Sequence, residues 1–223
     1  MPETQTTEGV RERLIRAAET LFAERGLDAV SLREILTAAE VGNSSAVQYH
    51  FGDRSGLVRA VLAKHHGAVE ARRHALLDQF EADGEADLRT LAGALVRPLA
   101  AELANSDGGH GYLQVMAELA TAPRPVLSAA SVEDPTDSTY RWRELVRPLL
   151  STEAVRLHRR FTAVQFTLTE LARRARDERA RGERDERLFT SHLIDLVTAV
   201  LAAPVSEETL RLARRRRSRG APS

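Results

Sequence analysis

Ser44, Ser45, Gln48, Tyr49 and His50 place two hydroxyls, an amide, a phenol and an imidazole within seven consecutive residues. The chemistry these groups offer is directional hydrogen bonding. Ala46 adds a small side chain beside the serines, while Val47 and Phe51, four apart, form an inward anchor on a helix. A protein core does not need this composition. A helix lying in the major groove of DNA does: small residues let its backbone approach, and the polar groups reach base edges or phosphates. Taken alone, the same helix also reads as an ordinary polar surface helix, so its neighbours must decide.

Those neighbours form a helix–turn–helix frame over 32–51. Leu32, Ile35, Leu36 and Ala39 recur at helical spacing. Ser31 precedes them with Glu34 three residues on, a capping box that satisfies orphan amides at the helix start. Val41-Gly42 breaks the pattern, and Gly42 is expected to take the left-handed conformation of a sharp turn. Asn43 is then the expected N-cap of a second helix from Ser44 to about His50.

Composition bounds the rest. The chain has 223 residues, 32 basic and 32 acidic side chains, and a formal net charge of zero. A polybasic, histone-like protein is excluded, so any nucleic-acid contact must come from a local patch. With no cysteine there is no disulfide, thiol catalyst or zinc–thiolate site. No apolar run approaches the roughly 20 residues a membrane span requires. The polar N-terminus lacks a signal-peptide core. The expectation is a cytoplasmic protein that needs no cofactor and binds no metal.

Alanine, leucine, arginine and glutamate at helical periodicity predict an all-α chain. The domains are read as a disordered arm over 1–8, a helix–turn–helix domain over 9–55, a helical body over 56–217 and a flexible tail over 218–223. Leu14, Ala18, Leu21 and Phe22 form the buried stripe of the first helix, which Gly26 ends. A long helix from about Arg54 to Phe80 joins the two halves as a lever. Pro98 predicts a kink or break in a helix over 86–104. Further helices are expected over 112–121, 138–150, 151–176, 188–202 and 206–216. The segment 123–136 is proline-rich and partly irregular, and 173–187 is a charge-rich loop or fraying helix end.

Residues 13–62, RLIRAAETLFAERGLDAVSLREILTAAEVGNSSAVQYHFGDRSGLVRAVL, resemble the N-terminal DNA-binding domain of the TetR family of transcriptional regulators. The likeness lies in the stripe and glycine of the first helix and the capped second helix. It extends to the aromatic–histidine end of the third and the phenylalanine–turn–basic–leucine entry to the fourth. It implies a three-helix DNA-binding head on an all-helical body that binds an effector and dimerises. Carried over, Ser44, Ser45, Ala46, Gln48, Tyr49 and His50 match the recognition helix. Ser31 and Arg33, at the start of the second helix, are also expected DNA contacts, Arg33 matching a position that can reach bases or backbone, and Arg54 matches a phosphate-contacting residue. Two features depart from the family: the turn AEVGN is one residue longer than the commonest form, and Glu40 stands where glycine is usual.

Acids (Glu3, Glu8, Glu12, Glu19, Glu24, Asp28, Glu34, Glu40, Asp53) outnumber arginines (Arg11, Arg13, Arg16, Arg25, Arg33, Arg54, Arg59) over residues 1–62. Binding must therefore rest on a few placed contacts doubled by a dimer. Two heads need half-sites about 34–36 Å apart, or a multiple, which makes the operator pseudo-palindromic.

The expected regulator is a repressor released by a small-molecule effector. His66, Leu95, Tyr112, Met116, Trp142, Phe161 and Gln165 are candidate cavity walls, each with plain core as the alternative. Phe161, Leu168, Phe189, Leu193, Leu196, Val197 and Val200 are candidates for a homodimer interface, against ordinary intrachain burial. The basic run RRRRSRG is either solvated or an added phosphate contact. Two other classes compete. A helical protein–protein scaffold explains the apolar helices but not the polar set on the short one. An enzyme lacks a motif: His65–His66 has no HExxH frame, GxSxG is absent, and GGHG at 108–111 follows no strand.

Overall fold

A computed structural model describes residues 3–84, 87–122, 134–181 and 185–219, and every regular element among them is helical. Helices α1 (Glu3–Arg25), α2 (Leu32–Ala38) and α3 (Ala46–Phe51) form the head, and α4 (Arg54–Asp83) leads out of it. The body adds α5 (Leu88–Ala100), α6 (Gly109–Thr121) and α7 (Ser138–Val146), followed by a 3-10 turn over Arg147–Leu149. Helices α8 (Thr152–Arg156), α9 (Arg159–Arg181), α10 (Glu186–Ala202) and α11 (Glu207–Arg219) complete it. The 30 residues of α4 span about 45 Å, enough to run from head to far body.

Several boundaries differ from expectation. Helix α1 already begins at Glu3, inside the stretch read as a disordered arm. The single helix expected from Ser151 is split at His158, whose φ of +56° cannot continue a right-handed helix. The charge-rich run stays helical to Arg181, and Asp185 caps α10 by accepting from the amides of Arg187 and Leu188. Pro98 lies in the last turn of α5, which ends two residues later, short of the expected 104, so the helix breaks there. Of the proline-rich segment, 123–133 lies outside the described residues, as do the side chains of the basic tail from 214.

Two cores form. The head core gathers Leu14, Ala18, Phe22, Val30, Ile35 and Val47 with Leu57 and Val61 of α4, and also Val115 and Leu119 of α6. The body core centres on Trp142, Tyr112, Leu91, Leu95 and Leu171. Trp142 is fully buried and its indole N–H donates to the Leu91 carbonyl at 2.7 Å, so its one polar atom is satisfied. Leu168, Leu193 and Val197, read as dimer contacts, are instead buried in this core at 3%, 2% and 0% exposure. The reason is that α10 lies between α5 and α9 and turns one apolar stripe inward.

Helix α6 lies directly along α1. A Cβ at Gly111 would stand 2.5 Å from the Glu19 carbonyl oxygen, and one at Gly108, where φ is +95°, only 2.4 Å from Glu19 Oε2. The GGHG stretch is thus a close-packing device between two helices, not a phosphate cradle. At the other end of α1, Gly26 (φ +82°) follows the last turn, and Glu118 of α6 reaches across to accept the Leu27 N–H.

Candidate nucleic-acid interface

The capping box read from the sequence is present. Ser31 Oγ accepts from the Glu34 N–H at 3.3 Å, and Glu34 Oε2 accepts from the Ser31 N–H at 2.8 Å and its hydroxyl at 2.7 Å. Arg25 of α1 donates to the other Glu34 oxygen at 2.8 Å. The Ser31 hydroxyl and amide, aided by Arg25, hold the Glu34 carboxyl down at about 2. Ser31 is therefore occupied as a cap. Arg33, the second residue of α2, is exposed.

The turn is built differently from expectation. Helix α2 ends in a Schellman motif: Val41 N–H reaches the Leu36 carbonyl at 2.9 Å, and Glu40 N–H the Thr37 carbonyl at 3.1 Å. The left-handed residue this motif needs is Glu40, with φ of +55°, not Gly42. The position where the family usually has glycine is thus the one whose backbone asks for it. Leu36 and Val41 are both half-buried against the head core, supplying the apolar contact that accompanies the motif.

Asn43 does not cap a helix beginning at Ser44. Its Oδ1 accepts from the Ser45 N–H at 3.0 Å and the Ser45 hydroxyl at 2.8 Å, closing a local turn over Ser44–Ser45. Helix α3 then starts at Ala46. This two-residue delay sets which side chains face out. Ser44, Ser45, Gln48 and Tyr49 are exposed, whereas Ala46 and Val47 are 5% and 3% exposed and belong to the head core. Ala46 is thus not on the outward face. Tyr49 is 77% exposed, an unusual state for a large aromatic ring. His50 is half-buried, with its ring edge-on to Tyr49 at 5.0 Å and tilted against Phe51 at 6.0 Å.

Arg54 departs furthest from its expected role. Its guanidinium donates to the carbonyls of Val30 and Leu27, and stands 5.6 Å from the centre of the Phe22 ring. It clamps the loop between α1 and α2 onto the start of α4. The phosphate role implied by the family pattern is not the one this geometry displays. Asp53 caps α4 by accepting from the Gly56 N–H at 2.6 Å, and Arg11 stands over the Phe51 ring at 5.5 Å.

The body candidates do not gather into one site. Leu95, Tyr112 and Trp142 are buried in the core, Met116 is half-buried, and His66, Phe161 and Gln165 are exposed. Gln165 donates to the Ala120 carbonyl at 2.9 Å, fastening α9 to α6. Three surface hollows are described and none is lined by any of these seven. His66, Glu70 and Asp137 bring ligand-type atoms within 4.8 Å of one another. However, Glu70 accepts from the Ser138 N–H and hydroxyl, and Asp137 caps α7 through the Thr139 and Tyr140 amides. These carboxylates serve as helix-start acceptors. Among the dimer candidates, Phe161 (39%) and Leu196 (37%) are exposed, and Phe189 and Val200 half-buried.

Sequence reasoning missed the residues that join head to body: Glu118 on Leu27, and Glu19, His65 and Glu102 beneath Tyr112. Their partners lie 37 to 91 positions apart, beyond any local pattern. The one available signal was the glycine spacing of GGHG, which marks close backbone approach.

Residues 14–61 match the family model described as bacterial regulatory proteins, tetR family. Over these residues the chain is similar to that family, and the described residues form an all-helical fold that opens on a helix–turn–helix. Solved structures similar to it include a gamma-butyrolactone receptor described as ArpA-like. That protein has 22% identity over 86% of this chain and 98% of its own, with a TM-score of 0.48. A TetR-family regulator from Streptomyces coelicolor A3 has 23% identity over 87% and 95%, with a TM-score of 0.40. RolR in complex with resorcinol has 21% identity over 92% and 98%, with a TM-score of 0.42. No curated protein matches the chain. Among the described residues, no single helix is long and apolar enough to cross a membrane.

Proposed function

We propose that this chain is a homodimeric transcriptional repressor that binds a pseudo-palindromic DNA operator and is released from it by a small-molecule effector. The observation that carries the reading is the face of α3. Buried Ala46 and Val47 fix the helix, while Ser44, Ser45, Gln48 and Tyr49 are exposed to solvent. Hydroxyls in the turn just before the short helix, with an amide and a phenol on it, suit base edges and phosphates. Exposed Arg33 lies on the adjacent helix α2 and offers a cation.

Exposed Phe161, Leu188 and Leu196 on α9 and α10 support pairing with a second copy. The route from body to head runs through α6 as well as α4. Helix α6 contacts α1 along its length and holds Leu27 through Glu118. An effector that moves α6 by a fraction of a turn tilts α1 and the recognition helix with it. A coupling of about 1–3 kcal/mol changes operator affinity by roughly 5- to 150-fold.

Selection of bound duplexes from a random DNA pool tests the reading. Recovery of a pseudo-palindrome retained by the parent and lost by Tyr49→Ala is the expected result. A pool that yields no enriched sequence overturns it. Compounds that release the selected duplex then identify the effector.

A further inference from the structure

Glu19 of α1 and Glu102, just past α5, are buried carboxylates at 2% and 1% exposure, and His65 of α4 lies between them. Its Nε2 is 2.9 Å from Glu19 Oε1 and its Nδ1 2.9 Å from Glu102 Oε2. A neutral imidazole carries one N–H and one lone pair, so only the imidazolium donates to both acceptors. The other groups around it are accounted for from each side. Lys64 donates to Glu19 Oε2 at 2.7 Å and to Asp107 Oδ1 at 2.9 Å. Arg72 donates to Glu102 Oε1 at 2.8 Å, and the Asn105 amide donates to Glu102 Oε2 at 2.8 Å while its nitrogen lies 3.4 Å from His65 Nδ1. Arg16 of α1 acts on Asp107 through space, and the Tyr112 ring of α6 stacks on the imidazole at 5.0 Å.

With His65 protonated, the cations Lys64, His65 and Arg72 balance the carboxylates Glu19, Glu102 and Asp107 in this cluster. Without that proton one buried carboxylate oxygen faces a ring lone pair at contact distance, and a negative charge is left uncompensated where water does not reach. The head contributes Glu19, and the body contributes Glu102 and Tyr112. The histidine sits on α4, which runs from the head into the body.

We propose that the Glu19–His65–Glu102 bridge is a proton-operated latch that fixes the orientation of the head against the body. It closes when His65 is an imidazolium and opens when the ring is neutral, because one carboxylate must then leave. Burial works against the charged ring, but hydrogen bonds and attraction from Glu19 and Glu102 outweigh it and hold the imidazole above its ordinary 6.5. A raised value means the bridge is complete below 6.5 and is lost as pH rises through the raised one. The latch rests on the fold alone and not on DNA recognition.

The test uses the full chain, which has no cysteine of its own. Nitroxides are placed on Gly42→Cys in the head and Arg97→Cys on α5, both exposed positions, and their separation is read by double electron–electron resonance. Between pH 6.5 and 9.5 the parent distribution is expected to shift or broaden in a one-proton transition. His65→Gln is expected to show the high-pH distribution throughout. Glu102→Gln is expected to lower the midpoint by about 1–3 pH units, the effect of losing one adjacent opposite charge. A parent distribution that ignores pH, or a transition that survives His65→Gln, overturns the latch. Should His65→Gln fail to fold by circular dichroism, the Glu102→Gln midpoint decides, and an unmoved midpoint overturns it. No DNA is present, so the outcome is separate from operator retention.

Discussion

Glu118 Oε2 on α6 accepts the backbone N–H of Leu27 at 2.7 Å, across 91 positions of sequence. The bond satisfies an amide that the end of α1 would otherwise leave open. Glu118 also lies against Gly26, where a Cβ would stand 2.8 Å from its Oε1. Replacing Glu118 by Ala orphans the Leu27 amide. Urea unfolding is expected to register a loss of about 1–3 kcal/mol. The same variant is expected to weaken transmission of effector binding to the head, read as a smaller change in operator affinity on adding a releasing compound.

Tyr49→Ala separates recognition from folding. The ring is 77% exposed and buries little, so the unfolding free energy is expected to stay within about 0.5 kcal/mol of the parent. Retention of the selected duplex in a gel shift is expected to fall by at least tenfold, corresponding to about 1.4 kcal/mol. Equal retention would remove Tyr49 from the interface.

Arg54→Ala is expected to behave in the opposite way. It removes both donors to the Leu27 and Val30 carbonyls and the contact with Phe22. A destabilisation of about 2–4 kcal/mol is expected in urea, since charged hydrogen bonds are worth roughly 1.5–3 kcal/mol each and share one group here. Any loss of DNA binding then accompanies a loosened head. A variant with parental stability but no DNA retention would restore the phosphate role.

Glu40→Gly is a stabilising substitution. Glu40 holds φ at +55° in a motif that favours glycine. Relieving that conformation recovers about 1–2 kcal/mol, from which glycine's extra freedom when unfolded takes back roughly 0.5–1. A net gain of up to about 1 kcal/mol is expected in thermal unfolding.

The acid limb tests the capping box. The Ser31 hydroxyl and amide and Arg25 hold Glu34 down at about 2, against 4.5 when free. A depressed carboxyl stabilises the fold above its unfolded value and loses that contribution as pH falls towards the folded one. The gap in melting temperature between parent and Glu34→Gln is therefore expected to be full at pH 6 and to shrink between 4.5 and 2.

Much of the head was legible because its signals are local. Ser31 and Glu34 are three apart, and the apolar stripes of α1 and α2 repeat within a few residues. The recognition helix was displaced by two residues because an Asx turn at Asn43 competes with an N-cap, and both use the same side chain. The body was legible as helices but not as a site. Leu168, Leu193 and Val197 have the composition of an interface and of a core alike, and only the placement of α10 against α5 and α9 decides. Arg54 illustrates the same limit: a guanidinium at a helix start serves a phosphate or two carbonyls equally well, and the loop 27–30 that claims it lies 24 to 27 positions away.

Val115 and Leu119 of α6 complete the hydrophobic core of the first three helices. A fragment ending near residue 62 would carry an open apolar seam where those two side chains belong. Grafting this N-terminal module onto a foreign partner therefore requires transplanting the facing surface of α6 too, or the chimera will be soft where the donor was firm. The sequence segment that the family pattern covers is shorter than the unit that must be inherited together.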